Sequence, residues 1–370
     1  MNNINDFVIE NGVLKEYLGK DKKVIVPDSV VALSPQAFAW SNVNIKEIVI
    51  PDGITEIPEE CFFDCKFIES IHLPDSIKTI GEKAFWKCLK LKEIIWPACL
   101  ENICENAFWD CKSLNFNAFP DTLKVIGGYA FTNCRSVTEF NLNNGLKSLG
   151  NSAFMCCHGI TEIVIPDSVE HIGEGIFASC SKLESVILPA NITIIPKSMF
   201  SECRSLKKVK LPSKIKEIGG WSFLSCEALE NILLPDSVEK IGEKAFYGCI
   251  SLSMINIPKK VKNIERGTFL CCSKLKEIKF SSGLKEIRYE AFAFCESLEK
   301  LVLPFNLRVI DTLAFLECRN LREVNVSRNI KEIKDYAFEG CANLKEIYLP
   351  ITALVSRSKA FPEEINIIRY

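Results

Sequence analysis

The sequence predicts a repeat solenoid: a right-handed superhelix of stacked coils, with one long parallel β-sheet on its concave face and turns or short helices on the other. Two observations carry this. Phenylalanines stand at Phe38, Phe62, Phe85, Phe108, Phe131, Phe154, Phe177, Phe200, Phe223, Phe246, Phe269, Phe292, Phe315, Phe338 and Phe361; the first interval is 24 residues and all the others are 23. A proline recurs at one fixed place in the period, in twelve of fifteen coils from Pro27 to Pro350. A constant period of this size marks stacked supersecondary units, not the two or three globular domains that 370 residues would otherwise suggest.

Each element of the coil has a local reason. In the coil around Phe246, apolar residues lie eight and five positions before the Phe (Val238, Ile241) and six, nine and eleven after it (Leu252, Ile255, Ile257). Ile255 and Ile257 alternate with Asn256, as a strand with one buried face requires. The following proline lacks the N–H that would extend a ladder, so the strand stops and the chain turns. Gly81, Gly173, Gly219 and Gly242 stand at equivalent turns, a structural role. One coil buries too little apolar surface to offset the ordering of its backbone, so coils must stack.

The ends differ. Phe7–Ile9 and Val13–Tyr17 flank Asn11-Gly12, a type I′ hairpin signal, and residues 1–21 are expected to cap the first coil. Residues 22–352 hold the regular repeats. In 353–370 the pattern decays: Ala353 and Ser356 replace large apolar residues, and Ile365–Tyr370 reads as a closing strand. Without a linker or low-complexity tract, residues 1–370 are expected to form a single domain.

The motif Leu-x-x-Ile-x-Leu-Pro, Ile-Gly-x-x-Ala-Phe-x-x-Cys resembles that of the BspA-like, treponemal-type leucine-rich repeat proteins, across residues 22–361. The resemblance implies a leucine-rich-repeat superhelix. It also implies adhesion or protein binding, since the family is typically surface-associated in bacteria and some protists. In this family's ladder Asn and Cys exchange, a small side chain inside a turn where contact with backbone is expected, which relates Asn42 of the first coil to the later cysteines.

Composition excludes several functions. With 45 basic and 47 acidic residues the formal charge is −2, which argues against nucleic acid as a partner. No apolar run spans a bilayer, and Met1–Asp6 lacks the basic and apolar regions of a secretory signal. The sequons at Asn191 and Asn325 are accordingly read as chance.

Thirteen of the 18 cysteines follow a repeat Phe by three residues, Cys65 to Cys341; the others are Cys61, Cys99, Cys104, Cys156 and Cys271. Paired C-x-x-C motifs are absent, so the thiols read as a column of small buried hydrophobes, not as zinc ligands. Neighbours on a straight ladder, with parallel Cβ vectors, are poorly placed for disulfides. So many free thiols point to a cytoplasmic, reducing setting, with export by an unconventional route as the alternative. His158, next to Cys157, His171 and His72 form no triad pattern, and phosphate-binding glycine motifs are absent. No catalytic residue, metal or cofactor is expected.

The remaining candidates are surfaces. Residues between the two inward strand positions should face solvent: Ile25, Val49, His72, Ile95, Ala118, Asn141, Val164, Ile187, Lys210, Leu233, Asn256, Lys279, Val302, Asn325 and Tyr348, of which nine are apolar or aromatic. The column two residues earlier adds Phe116 and Met254 among seven glutamates, Glu139 included, and the next contributes Lys46, Lys92, Lys207, Lys276, Arg322 and Lys345. An apolar stripe rimmed by charge resembles a protein-binding surface, although β-branched residues favour strands whatever they face. A second candidate is the ladder directly after the Phe, with Trp40 placed in it once the first coil's one extra residue is allowed for: Trp40, Phe63, Trp86 and Trp109. These rings are binding anchors or a mutual shield. The leading function is a non-catalytic protein-interaction module. The alternatives are a surface adhesin or host-interaction protein, an enzyme or effector with unrecognised activity, and a structural spacer.

Overall fold

A computed structural model describes residues 2–40, 44–138, 140–356 and 360–370. The chain forms two compact units, Met1–Leu183 and Glu184–Tyr370. Each is a parallel β-solenoid of 23-residue coils.

In the first unit, strands Lys23–Ile25, Glu47–Val49, Ser70–His72 and Glu93–Ile94 pair in parallel and in register. A second ladder runs beside them, built from two-residue strands: Glu56–Ile57, Thr79–Ile80, Asn102–Ile103, Val125–Ile126, Ser148–Leu149 and His171–Ile172. The second unit repeats both ladders, for example Met254–Asn256 on Glu277–Lys279 and Asn263–Ile264 on Glu286–Ile287. The single sheet expected from the sequence is thus joined by a second. The other side of the coil is made of turns, and the one helical turn among the described residues is the 3-10 segment Ile4–Asp6.

The third ladder is the arch around each Phe. Residues two before and two after it have positive φ in every coil from Phe38 to Phe338, for instance Glu60 (54°) and Asp64 (58°) around Phe62. This alternation aims alternate N–H groups along the solenoid axis. Glu60, Phe62 and Asp64 donate to the carbonyls of Glu82, Ala84 and Trp86 in the next coil at 2.7–2.9 Å, while Phe63 and Cys65 donate within their own coil. A left-handed conformation costs about 1–2 kcal/mol for a residue with a Cβ, and it persists because these bonds over-determine it.

The Phe rings lie fully buried in face-to-face columns. Phe85 and Phe108 are 4.9 Å apart at 5°, and Phe223 and Phe246 are 5.2 Å apart at 0°. Such pairs add about 0.5–1.5 kcal/mol beyond area burial. The turn glycines serve close approach: a Cβ on Gly81 would sit 2.8 Å from the Ile57 carbonyl oxygen. At two of the three coils that lack the proline, a side chain builds the turn instead. Asn143 Oδ1 accepts from Gly145 N at 2.7 Å, and Ser327 Oγ accepts from Asn329 N at 3.1 Å.

The N-terminal hairpin forms as predicted, Phe7–Glu10 against Val13–Tyr17, with Asn11 and Gly12 both at positive φ. Val13–Leu14 pairs with Ala32–Leu33 and so continues the second ladder. Asn2 closes the edge of Lys23–Ile25: its amide donates to Lys23 O and accepts from Ile25 N, both at 2.8 Å. At the other end, Asn366–Arg369 pairs in parallel with Glu346–Leu349, the closing strand that the sequence predicted. The decay before it is a slip of one residue. Val355, not Ser356, pairs opposite Ile333, which leaves Leu354 exposed and Ala353 buried.

Candidate interaction surface

The pleat exposes the predicted column. Ile95 is 74% and Leu233 76% exposed, whereas the adjacent Leu234 is 1% exposed. Val164, Ile187, Val302, Tyr348 and Ile25 are exposed too, and Val49 is half-buried. Within the second unit the apolar members alternate with Lys210, Asn256, Lys279 and Asn325, so the surface there is a series of separate apolar points. Charged residues rim it as expected. Lys23 Nζ lies 2.7 Å from Glu47 Oε1 and His72 Nε2 lies 3.4 Å from the same oxygen. The Lys23 bond, reinforced by His72, holds the Glu47 carboxyl below its usual range. Met254 is half-buried at the margin.

Phe116 does not belong to this face: it is 6% exposed. The coil carries Asn117 where an inward apolar residue should stand, and burying that amide without partners would be costly. The strand breaks into two isolated bridges, Glu93 to Asn115 and Ala118 to Asn141. Asn117 turns outward and Phe116 inward, with its ring 5.3 Å from Trp96 and 4.8 Å from Phe119. Glu139 and Asn42 lie outside the described residues.

The Trp40–Trp109 ladder is both shield and surface. Phe63 and Trp86 stack at 4.5 Å and 16° and are half-buried; Trp40 and Trp109 flank them at 5.6 and 5.3 Å and are exposed. Lys87 Nζ sits 4.1 Å from the Trp86 ring centre, a cation–π contact.

The cysteine ladder has a backbone role that the period alone did not reveal. From Cys65 to Cys180 and from Cys226 to Cys341, each thiol donates to the carbonyl of the Phe one coil back, at 3.0–3.3 Å. Burial pushes up the thiols of Cys88, Cys111, Cys134, Cys157, Cys180, Cys226, Cys249, Cys272, Cys295 and Cys318, Cys249 to about 12, which makes them poor nucleophiles. Among the described residues no disulfide is formed, and Cys99 is exposed. His158 Nδ1 lies 3.3 Å from Ser181 Oγ, and His171 and His72 are exposed. Among the described residues no three His, Cys, Asp or Glu side chains converge as metal ligands, and no helix is long and apolar enough to cross a membrane.

This coil anatomy is matched by the model of the BspA type leucine rich repeat region, over residues 31–158, 103–230, 193–322 and 239–368. The chain belongs to the BspA-type leucine-rich repeat family. That family is defined by its repeat and indicates no catalytic activity. Among solved structures, this BspA-type chain is similar to a leucine-rich repeat protein from Bacteroides ovatus, at 28% identity and TM-score 0.77, over 99% of this chain and 100% of that one. It also resembles a leucine rich cell surface protein from Faecalibacterium prausnitzii, at 23% identity and TM-score 0.57, over 94% and 92% of the two chains. A leucine-rich repeat protein from Eubacterium ventriosum aligns at 23% identity and TM-score 0.54, over 95% and 90%. No curated protein is matched by the sequence.

Proposed function

We propose that this BspA-type chain is a non-catalytic module that binds another protein through the exposed strand column, with Ile95, Val164, Ile187, Leu233 and Tyr348 as anchors and Trp40 and Trp109 as a secondary surface. The observation that carries this is the column itself: within each unit, large apolar side chains turned outward along the strands, within a charged rim. A spacer needs no such residues. The many cysteines, with no disulfide among the described residues, support a reducing compartment. The surface-adhesin reading takes its support from the Faecalibacterium prausnitzii neighbour, whose likeness extends to the fold. The Phe interval across the division at 183/184 is 23 like the others, which supports treating both units as one domain.

The test is a pull-down from the source cell, followed by titration of the recovered partner against Ile187→Lys/Leu233→Lys. Binding should weaken by about 2–4 kcal/mol with the melting temperature almost unchanged. Leu234→Ala should instead cost about 2–5 kcal/mol of stability. A double variant that keeps both stability and binding would reject this face and favour the tryptophan ladder.

A further inference from the structure

We infer that the second unit carries an oligophosphate-binding site, on the turn side of its second ladder and apart from the strand column. Four cations occupy one column in consecutive coils: Lys262, Lys285, Arg308 and Lys331. Their backbones are bonded directly to one another: Lys285 N donates to Lys262 O, Arg308 N to Lys285 O and Lys331 N to Arg308 O, at 2.7–2.8 Å. The column is therefore held at the spacing of the ladder, about 4.8 Å per coil. Beside it, the residue after the strand-closing position changes character. It is acidic at Asp28, Asp52, Asp75, Asp121, Asp167 and Asp236 and uncharged at Ala98, Asn144, Ala190 and Ser213, then becomes Lys259, Ser282, Phe305 and Arg328.

The two columns enclose a depression of about 290 Å³ lined by Lys259, Lys262, Lys285, Arg308, Ser282 and Asn306, with Gly283 between them. Its lining holds four cations and no acid. Gly283 lets the two coils close on each other here, because a Cβ there would fall 1.8 Å from the Lys259 carbonyl oxygen.

Elsewhere each lysine of this column has a glutamate of the same column in an adjacent coil, even where Lys124 and Lys147 are neighbours. Glu101 meets Lys124 at 2.7 Å, and Lys147 meets Glu170 at 2.8 Å. Lys260, next to the depression, is likewise neutralised by Glu239 at 2.8 Å. Among the described residues, Lys259, Lys262, Lys285, Arg308 and Lys331 make no ion pair. Of the nearby acids, Glu286 pairs with Arg288 at 3.4 Å, and Glu332 lines a separate depression with Lys334. Like charges stacked at this spacing repel one another, and a fold that pairs charges in other coils leaves these unpaired. A ligand with a row of closely spaced oxyanions neutralises them together. The guanidinium fork of Arg308 suits a pair of phosphate oxygens, the ammonium groups serve as point charges, and the Ser282 hydroxyl can donate. A linear phosphoanhydride chain has the charge density and the compactness; a free oligophosphate and a nucleoside triphosphate both supply it.

Calorimetric titration of the full chain with tripolyphosphate in low salt should give saturable binding with one site per chain, weakening steadily as salt is raised. Lys285→Gln/Arg308→Gln should weaken it at least 30-fold without lowering the melting temperature, since it removes repulsion. Lys124→Gln, in the paired part of the column, should leave it unchanged. ATP binding equal to tripolyphosphate assigns the site to the phosphate chain alone; ATP binding more tightly, with the gain lost in Phe305→Ala, adds the base as a recognised group. Absence of saturable binding would overturn the proposal. So would an unaffected double variant, or a sulfated heparin disaccharide that binds as tightly as tripolyphosphate.

Discussion

Raising the pH should unfold this protein earlier and more steeply than its composition suggests. Eleven thiols, at Cys61, Cys88, Cys111, Cys134, Cys157, Cys180, Cys226, Cys249, Cys272, Cys295 and Cys318, are fully buried, and burial raises each above its ordinary range. An unfolded thiol titrates near ~8.5. Below that pH both states keep the proton and the thiols make no difference. Above it only the unfolded chain releases protons, so stability falls as pH rises, until the folded thiols ionise in turn, about 12 for Cys249. One pH unit above the unfolded value, each thiol withdraws about 1.4 kcal/mol, and the eleven together on the order of 15 kcal/mol. That equals or exceeds the ~5–15 kcal/mol that keeps a domain folded. The assay is urea denaturation under a phosphine reductant at pH 7.5, 8.5, 9.0 and 9.5, with reversibility checked at each. The expected result is a sharp fall in midpoint before tyrosine and lysine titrate. Cys249→Ser/Cys272→Ser should reduce the slope by about 2.7 kcal/mol per pH unit while keeping a donor to each Phe carbonyl. A midpoint flat to pH 9.5, or a slope the double variant leaves unaltered, would refute the reasoning.

Other outcomes follow from the same coordinates. Native alkylation at pH 7.5 should label Cys99 first and Cys104, Cys156 and Cys271 slowly, since these are the exposed and half-buried thiols; denaturant should then release the remainder, as mass spectrometry would show. Ser198 sits at φ 56° two residues before Phe200, so Ser198→Val should destabilise by about 1–2 kcal/mol. Ser198→Gly should be neutral or slightly stabilising, and equal effects of the two in chemical denaturation would contradict a left-handed backbone there.

The features legible in the sequence were those that repeat and that have a side-chain signature. The Phe column, the inward residues, the closing prolines and the Asn11-Gly12 hairpin follow from period and residue type, and the outward register of Ile95 and Leu233 follows from the pleat. The second ladder was hidden because a two-residue strand such as Thr79–Ile80 has a single inward side chain, too short to alternate. Phe116 was misplaced because one polar residue, Asn117, rotates its coil locally, and a consensus offset averages over such events. The C-terminal slip that puts Val355 opposite Ile333 was read as decay for the same reason. The thiol-to-carbonyl bonds have no sequence signature beyond the cysteine itself. The basic column was invisible to a search for charge runs, since its members are 23 residues apart and overall charge is balanced by acids in other coils.

The paired left-handed residues of each arch have a consequence for how such a chain can vary. Between Phe38 and Phe338 these positions hold Lys, Glu, Asp, Asn, Ser, Gln, Cys, Tyr, Trp, Phe, Leu and Gly, but never Val, Ile or Thr. The backbone screens for branching at Cβ and is indifferent to charge, size and polarity. Since the arch bonds between coils come from the main chain and the inward cysteine, one coil's outward residues can be rewritten without disturbing them. The solenoid then behaves as a ruled page whose lines are fixed by the interior while each line's text is free. An array built this way can acquire a new recognition surface by point substitutions in three or four adjacent lines, with no insertion and no change of packing.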